Sequence, residues 1–250
     1  MTTTRLPTRS RGPRRPTRHI VAMGGGGFLM EPDVPLLDDY VLALAGRRRP
    51  KVCFVPTAGG DHPWFIERFE RAFAGRRART SHLALFQRDG RDLAPRLLDQ
   101  DVIYVGGGNV ANMMAVWRVH GVDRILTTAW KRGIVLAGVS AGALCWFFGG
   151  TTDSFGPALA PFRDGLALLP GTVCPHYDGE ARRRPVYHAL VRAGLPGGIG
   201  LDDGAAAHYV GTTLVEIVTS RPNARAYEVR RARGRVVETE LPVRRLGARP

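Results

Sequence analysis

The segment 138-GVSAG-142 places Ser140 between two apolar stretches, residues 134–137 and 141–148. A strand that enters a helix through a turn of small residues matches the G-x-S-x-G nucleophile elbow, which exposes a serine hydroxyl at the top of a sheet. An ordinary strand-to-helix joint has the same look, so the remaining chemistry must be found elsewhere in the chain. A serine nucleophile needs a base, an acid to orient that base, and two N–H donors for the oxyanion. In an elbow the N–H of the next residue, Ala141, is one donor. Gly106-Gly107-Gly108-Asn109 could bring the second, because glycine lets bare backbone come close. The histidines are His19, His62, His82, His120, His176, His188 and His208. Of these, His176 lies on a loop behind a short apolar run and follows the serine in chain order. Asp202 and Asp203 close another apolar run, and Asp153, just past the elbow helix, is the rival acid. Cys174 beside His176 offers at most two ligands, too few for a zinc site. No metal or other cofactor is expected.

These residues need a scaffold, and the chain alternates strand and helix as far as residue 150. Strands are expected at 20–23, 52–55, 81–86, 102–105 and 134–137, and helices at 36–45, 64–73, 110–119 and 122–131. Helix 64–73 is expected to turn Trp64, Phe65, Phe69 and Phe73 inward. This alternation implies a mainly parallel sheet covered on both faces. Ligands gather at the carboxyl ends of such strands. Further short strands are expected at 171–174, 199–201, 206–210 and 214–218. The run Gly24–Gly27 resembles a dinucleotide fingerprint only superficially. Leu29 stands where the last glycine belongs, and no acid at the end of the second strand is placed to hold a ribose.

Composition narrows the rest. The 250 residues suit one large domain, expected at 19–240 between a disordered basic tail at 1–18 and a C-terminal tail at 241–250. A net charge of +14 raises nucleic acid as a partner. All but two of the 36 basic residues are arginine, however, and they crowd toward the two ends. No zinc-finger spacing, RNA-binding signature or helix-turn-helix accompanies them, so nucleic-acid binding is not expected as the main role. No apolar run is long enough for a bilayer and no secretory signal is visible. Three scattered cysteines do not form a disulfide framework. A cytoplasmic protein without membrane partners is the expectation.

Four blocks carry a more specific signal in combination: GGGN at 106–109, GVSAGA at 138–143, CPHYDGEAR at 174–182 and DDG at 202–204. In this order they resemble the peptidase E family of serine peptidases, whose best-known member is an aspartyl dipeptidase. The resemblance implies an α/β fold of three layers, α/β/α, related to class I glutamine amidotransferases. It implies a Ser140–His176 pair, with the oxyanion held by Ala141 and by Gly108 or Gly107. Members often carry Glu before the glycine where this chain has Asp203. That makes Asp203 the first choice for the acid, with Asp153 and Asp202 as alternatives. GEAR at 179–182 resembles the segment bearing the family's aspartate-binding arginine, which puts Arg182, with Asn109, at the substrate. The expected activity is hydrolysis of small peptides, in particular dipeptides with N-terminal Asp, through an acyl-enzyme. The alternatives are a cyanophycinase-like or other acyl hydrolase of the same superfamily, and a non-enzymatic binding protein on the same fold. A glutamine amidotransferase needs cysteine at the elbow, whereas Cys145 is expected to point into the core.

Overall fold

The computed structural model describes residues 16–76 and 78–247. The elements run in the order β1 (His19–Met23), α1 (Gly27–Met30), α2 (Leu36–Leu44), β2 (Lys51–Val55), α3 (Pro63–Ala74), β3 (Arg79–His82), α4 (Leu93–Leu98), β4 (Val102–Val105), α5 (Val110–His120), α6 (Val122–Lys131), β5 (Val135–Val139) and α7 (Ala141–Leu144). They continue with β6 (Gly149–Thr152), β7 (Ala160–Phe162), β8 (Thr172–Cys174), α8 (Arg183–Arg192), β9 (Gly198–Leu201), β10 (Ala205–Val210), β11 (Thr213–Thr219), β12 (Ala226–Ala232), β13 (Arg235–Glu240) and β14 (Val243–Arg245).

Two sheets result. The larger has the order β14-β11-β10-β1-β5-β4-β2-β3, and its pairings from β1 through β5, β4 and β2 to β3 are all parallel. Its central strands are apolar throughout because both faces are covered. Side chains alternate between the faces. Ile20 and Ala22, Ile103 and Val105, and Leu136 join one core with α5, α6 and α7. Val21 and Met23, Val102 and Tyr104, and Val135 and Ala137 join the other with α1, α2 and α3. The second core is largely aromatic, with Phe28 meeting Phe54, Phe69, Phe73 and Tyr104 edge-on at centroid distances of 5.2–5.8 Å, each contact adding about 0.5–1.5 kcal/mol beyond burial.

The layered α/β fold was legible in the sequence; the second sheet, β13-β12-β9-β8-β6-β7, was not. One face of it joins the first core through Val173, Ile199 and Leu201. Its other face packs under α8 through Cys174, Tyr177, Tyr187, Val191 and Val229.

Several expected elements differ in detail. The elbow helix ends at Leu144 instead of reaching 148. The carbonyls of Cys145, Trp146 and Phe147 accept N–H groups of Leu166, Leu169 and Ala167, so they are turned away from a helical path. The strand expected at 81–86 is β3, 79–82; beyond it the carboxylate of Asp61 takes the N–H groups of Leu85 and Phe86, away from the ladder. Trp64 is 49% exposed, not inward. The buried stripe of α3 runs Phe65, Phe69, Phe73 at four-residue steps, and Trp64 falls beside it under the Arg68 guanidinium. The expected C-terminal tail contains a strand, because β14 pairs in parallel with β11, Arg244 bonds Glu216 at 2.8 Å, and Val243 reaches the core. Of the expected N-terminal tail, residues 1–15 lie outside the described residues. Arg18 belongs to the fold, with its carbonyl accepting Gly211 N–H and its guanidinium 4.3 Å from the Trp130 ring. Among the described residues no helix is long and apolar enough to cross a membrane.

Candidate active site

The carboxyl ends of β1, β4 and β5 meet those of β8 and β9 along the seam between the two sheets, and the chemistry-bearing residues collect there. Ser140 joins β5 to α7 with φ 57° and ψ −114°, a conformation that L-residues avoid. Its surroundings leave it little choice. Its N–H donates to Met23 O on β1 at 3.0 Å, and its carbonyl accepts Ala143 and Leu144 N–H at 3.0 Å each. A Cβ at Gly142 would stand 2.4 Å from Val105 O, so only glycine lets α7 start this close to β4.

The loop 106–109 lies alongside. A Cβ at Gly107 would come within 3.3 Å of Ser140 Cβ. Gly108 has φ 134°, and a Cβ there would collide with Ala58 O at 2.2 Å. Among the described residues, the N–H groups of Gly107 and Gly108 have no hydrogen-bond acceptor. Ala141, at the first position of α7, likewise has no intrahelical acceptor for its N–H. The three N–H groups belong to the turn that carries Ser140 and to the loop beside it. Asn109 holds the loop in place: Oδ1 caps α5 by accepting Asn112 N–H at 2.8 Å, and Nδ2 donates to Ser154 O at 3.0 Å. Each end of its amide makes one bond within the protein, and Nδ2 keeps a second N–H. Ser154 Oγ accepts Val110 N–H at 3.0 Å, a tie between the loops that no sequence pattern announced.

His176 arrives from β8 with φ 52°. Its Nε2 is 2.8 Å from Ser140 Oγ, and its Nδ1 is 2.7 Å from Asp203 Oδ1. A carboxylate only accepts, so Nδ1 carries the proton and Nε2 is left to accept from the serine hydroxyl. Burial raises the pKa of Asp203, but the His176 hydrogen bond, the charge of that ring when protonated, and the charges of Arg221 and Arg183 outweigh it, and the carboxyl ends below its ordinary range. Asp178 Oδ1 fixes the backbone by accepting Asp203 N–H at 2.9 Å. Gly25 supplies the space: a Cβ there would lie 2.0 Å from Asp203 Oδ1 and 3.0 Å from His176 Nδ1. The glycine run after β1, which fails as a dinucleotide fingerprint, is therefore the bare wall behind the histidine and the acid.

The other candidate acids sit elsewhere. Asp153 is exposed and lies 3.7 Å from Arg183. Asp202 accepts Arg225 N–H at 2.8 Å, and burial pushes its carboxyl up to about 6. Neither is hydrogen-bonded to His176. Cys174 is buried under α8, where desolvation raises its thiol to about 12, and it makes no pair with His176. Cys145 is fully buried and donates to Gly142 O.

The three arginines after the histidine diverge. Arg183 is buried and binds Glu180 and Thr151 O. Arg184 binds Glu238. Arg182, at the exposed start of α8, donates to Pro157 O at 3.2 Å and, among the described residues, pairs with no carboxylate.

Comparison with known proteins bears on the family and the fold. The family model for peptidase family S51 matches residues 20–217. An uncharacterized peptidase, YgaJ of Bacillus subtilis (strain 168), is 48% identical over 231 residues, which is 92% of this chain and 100% of that protein. Peptidase E of Shigella flexneri serotype 5b (strain 8401) is 28% identical over 194 residues, or 72% of this chain and 79% of that one. A crystal structure of a peptidase from an acI-B1 Actinobacterium superposes with a TM-score of 0.68 at 16% identity, covering 92% of this chain and 96% of that chain, a likeness of fold. A mainly parallel α/β sandwich with a serine elbow at its carboxyl edge, matched over most of its length, places this chain in peptidase family S51.

Proposed function

We propose that this peptidase is a serine enzyme that removes N-terminal aspartate from small peptides through an acyl-enzyme. The observation that carries the mechanism is the unbroken hydrogen-bonded chain Ser140 Oγ–His176–Asp203 at a strained strand-to-helix turn. Ser140 Oγ attacks the scissile carbonyl carbon while His176 Nε2 takes its proton. The negative charge that develops on the carbonyl oxygen is met by the N–H of Ala141 and by that of Gly107 or Gly108. The C–N bond then breaks as His176 returns the proton to the leaving amine. Water, deprotonated by His176, cleaves the acyl-enzyme and restores the serine. Asp203 remains ionised, holds the ring in its Nδ1–H tautomer and stabilises the imidazolium. Its lowered pKa suits that role.

Specificity is assigned to Arg182. A guanidinium matches a carboxylate with two parallel donors. Of the three arginines after His176, Arg182 is the one whose charge no protein carboxylate answers among the described residues. Asn109 contributes by holding the oxyanion loop at the border of the substrate site.

The test compares Asp-X dipeptides with Ala-X, Leu-X and X-Asp dipeptides. Asp-X substrates should show kcat/KM at least about tenfold above the rest, and Arg182→Met should raise KM for Asp-X by about tenfold or more, the value of one charge-assisted pair. Equal hydrolysis of all the dipeptides would contradict the specificity. An unchanged KM in the variant would remove Arg182 from it.

A further inference from the structure

A side-chain cluster behind His176 is left unused by the mechanism above. Backbone with φ 52° at a histidine is strained by about 1 kcal/mol or more, and the residue that follows shows what maintains it. Tyr177 is 2% exposed. Its N–H donates to Leu201 O at 3.0 Å. Its ring lies flat against Gly200, where a Cβ would be 2.8 Å from three ring atoms. Its hydroxyl donates to Glu238 Oε2 at 2.5 Å, and that oxygen also lies 2.7 Å from His188 Nε2. Arg184 binds the other Glu238 oxygen and covers the rings of Tyr177 and Tyr227 at 5.5 and 4.6 Å.

The placement is specific. Gly200 and Leu201 belong to β9, which delivers Asp203 two residues later. The same strand therefore seats the neighbour of the base and carries the acid. α8 and β13 clamp the tyrosine onto it through His188, Arg184 and Glu238. Moving Tyr177 along β9 changes the distance from His176 to Asp203 directly.

We propose that Tyr177, clamped by Glu238, His188 and Arg184 against β9, is a positioning residue that holds His176 in register with both Asp203 and Ser140. This rests on the reading of Ser140 and His176 as nucleophile and base. It adds that the register is set from the second sheet, by a hydroxyl that touches neither substrate nor reacting atom.

Tyr177→Phe keeps the ring and removes the clamp. Tyr40→Phe is the control, since Tyr40 also gives its hydroxyl to a glutamate, Glu216, beside a histidine, His208, but in a cluster on α2, β10 and β11 with no bond to His176. Both variants lose a part-buried tyrosine–glutamate hydrogen bond. The probe is an alkyl fluorophosphonate, whose phosphorus bonds to Ser140 Oγ as fluoride leaves and the serine proton passes to His176. Tyr177→Phe should label about tenfold or more slowly than the unmodified protein, as expected when a base is misplaced by a fraction of an ångström. The pH dependence of labelling should shift, and the downfield proton NMR signal of the His176–Asp203 bond should broaden or vanish. Tyr40→Phe should change none of these, at a comparable loss of Tm. Glu238→Gln should act in the same direction as Tyr177→Phe and carries the test if Tyr177→Phe does not fold. Labelling rate, pH profile and NMR signal equal to those of Tyr40→Phe would overturn the positioning role. Failure of the unmodified protein to label at Ser140 would overturn the serine reading, and this proposal with it.

Discussion

Ser140 and His176 face each other across the seam between the sheets, and both have positive φ, yet the two halves of the site are built differently. On the side of the larger sheet, Ser140 is held by backbone: its N–H on Met23 O, its carbonyl in the first turn of α7, and glycines at 107 and 142 that let neighbouring strands close in. On the other side, His176 is held by side chains, through Asp203, Asp178 and the Tyr177–Glu238–His188–Arg184 cluster. A backbone cradle depends on strand pairing and on small residues that let the strands close in. A side-chain clamp depends on residues up to 61 positions apart.

The largest effects test the contact between the halves. Ser140→Ala and His176→Ala should each lower peptide hydrolysis by about 10⁵–10⁶-fold, and the double variant should be little worse, because residues acting as one unit lose the whole effect together. Multiplicative losses in the double variant, in purified folded protein, would mean that the halves act independently. Asp203→Asn should cost about 10³–10⁴-fold, since an amide can hold the wrong ring tautomer. Asp153→Asn and Asp202→Asn should stay within about tenfold, because neither residue is hydrogen-bonded to the ring. A larger loss in Asp153→Asn would move the acid from the end of β9 to the end of β6 within the same half.

Gly25→Ala tests the wall that the larger sheet presents to the other half. The added methyl would occupy the place of Asp203 Oδ1, so the carboxylate must shift. About 10²-fold of activity should be lost while the elbow keeps its shape. Normal hydrolysis in this variant would show that the wall is not needed.

The smallest effect is on stability, and it separates the buried carboxyls of the two halves. Behind the elbow, burial pushes Asp38 up to about 6 against the pull of Arg76 and of its bonds from Tyr104 and Phe28. Asp203, in the other half, is shifted down. A raised carboxyl stabilises the fold fully below the unfolded value near 4 and loses that contribution as pH rises through about 6. Asp38 should therefore lower stability at pH 8 relative to pH 4 by about 2–3 kcal/mol. Asp38→Asn should remove that part of the slope and gain on the parent protein as pH rises, in urea unfolding at the two pH values. A difference between the proteins that is the same at both would contradict the assigned shift.

The contrast between the halves also explains what could be read from the sequence. The elbow, the 106–109 loop and the buried parallel strands lie in short apolar or glycine-rich runs, and their pattern is local. Ser140 with Ala141, and Gly107 with Gly108, each stand in a short run that can be read by itself, and the parallel pairing of β4 with β5 brings the two runs side by side. His176 and Asp203 could be nominated from strand-end position and from the resemblance to peptidase E. What holds them could not, because Tyr177 and Glu238 meet only after β13 is laid beside β12, and Gly25 meets Asp203 only across the sheet. The shortened elbow helix and the β14 strand escaped for the same reason: carbonyls of 145–147 bond residues 166–169, and β14 finds its partner 26 residues back, where Ile217 pairs with Val243.

The central claim is that Ser140, activated by His176 and Asp203, forms a covalent bond with the substrate's acyl carbon. Treating the folded protein with a fluorophosphonate and mapping the adduct by peptide mass spectrometry tests it most directly. One adduct is expected, on Ser140, and it should disappear when His176 is replaced by alanine. An adduct on another residue, or none on protein that still hydrolyses peptides, would contradict it.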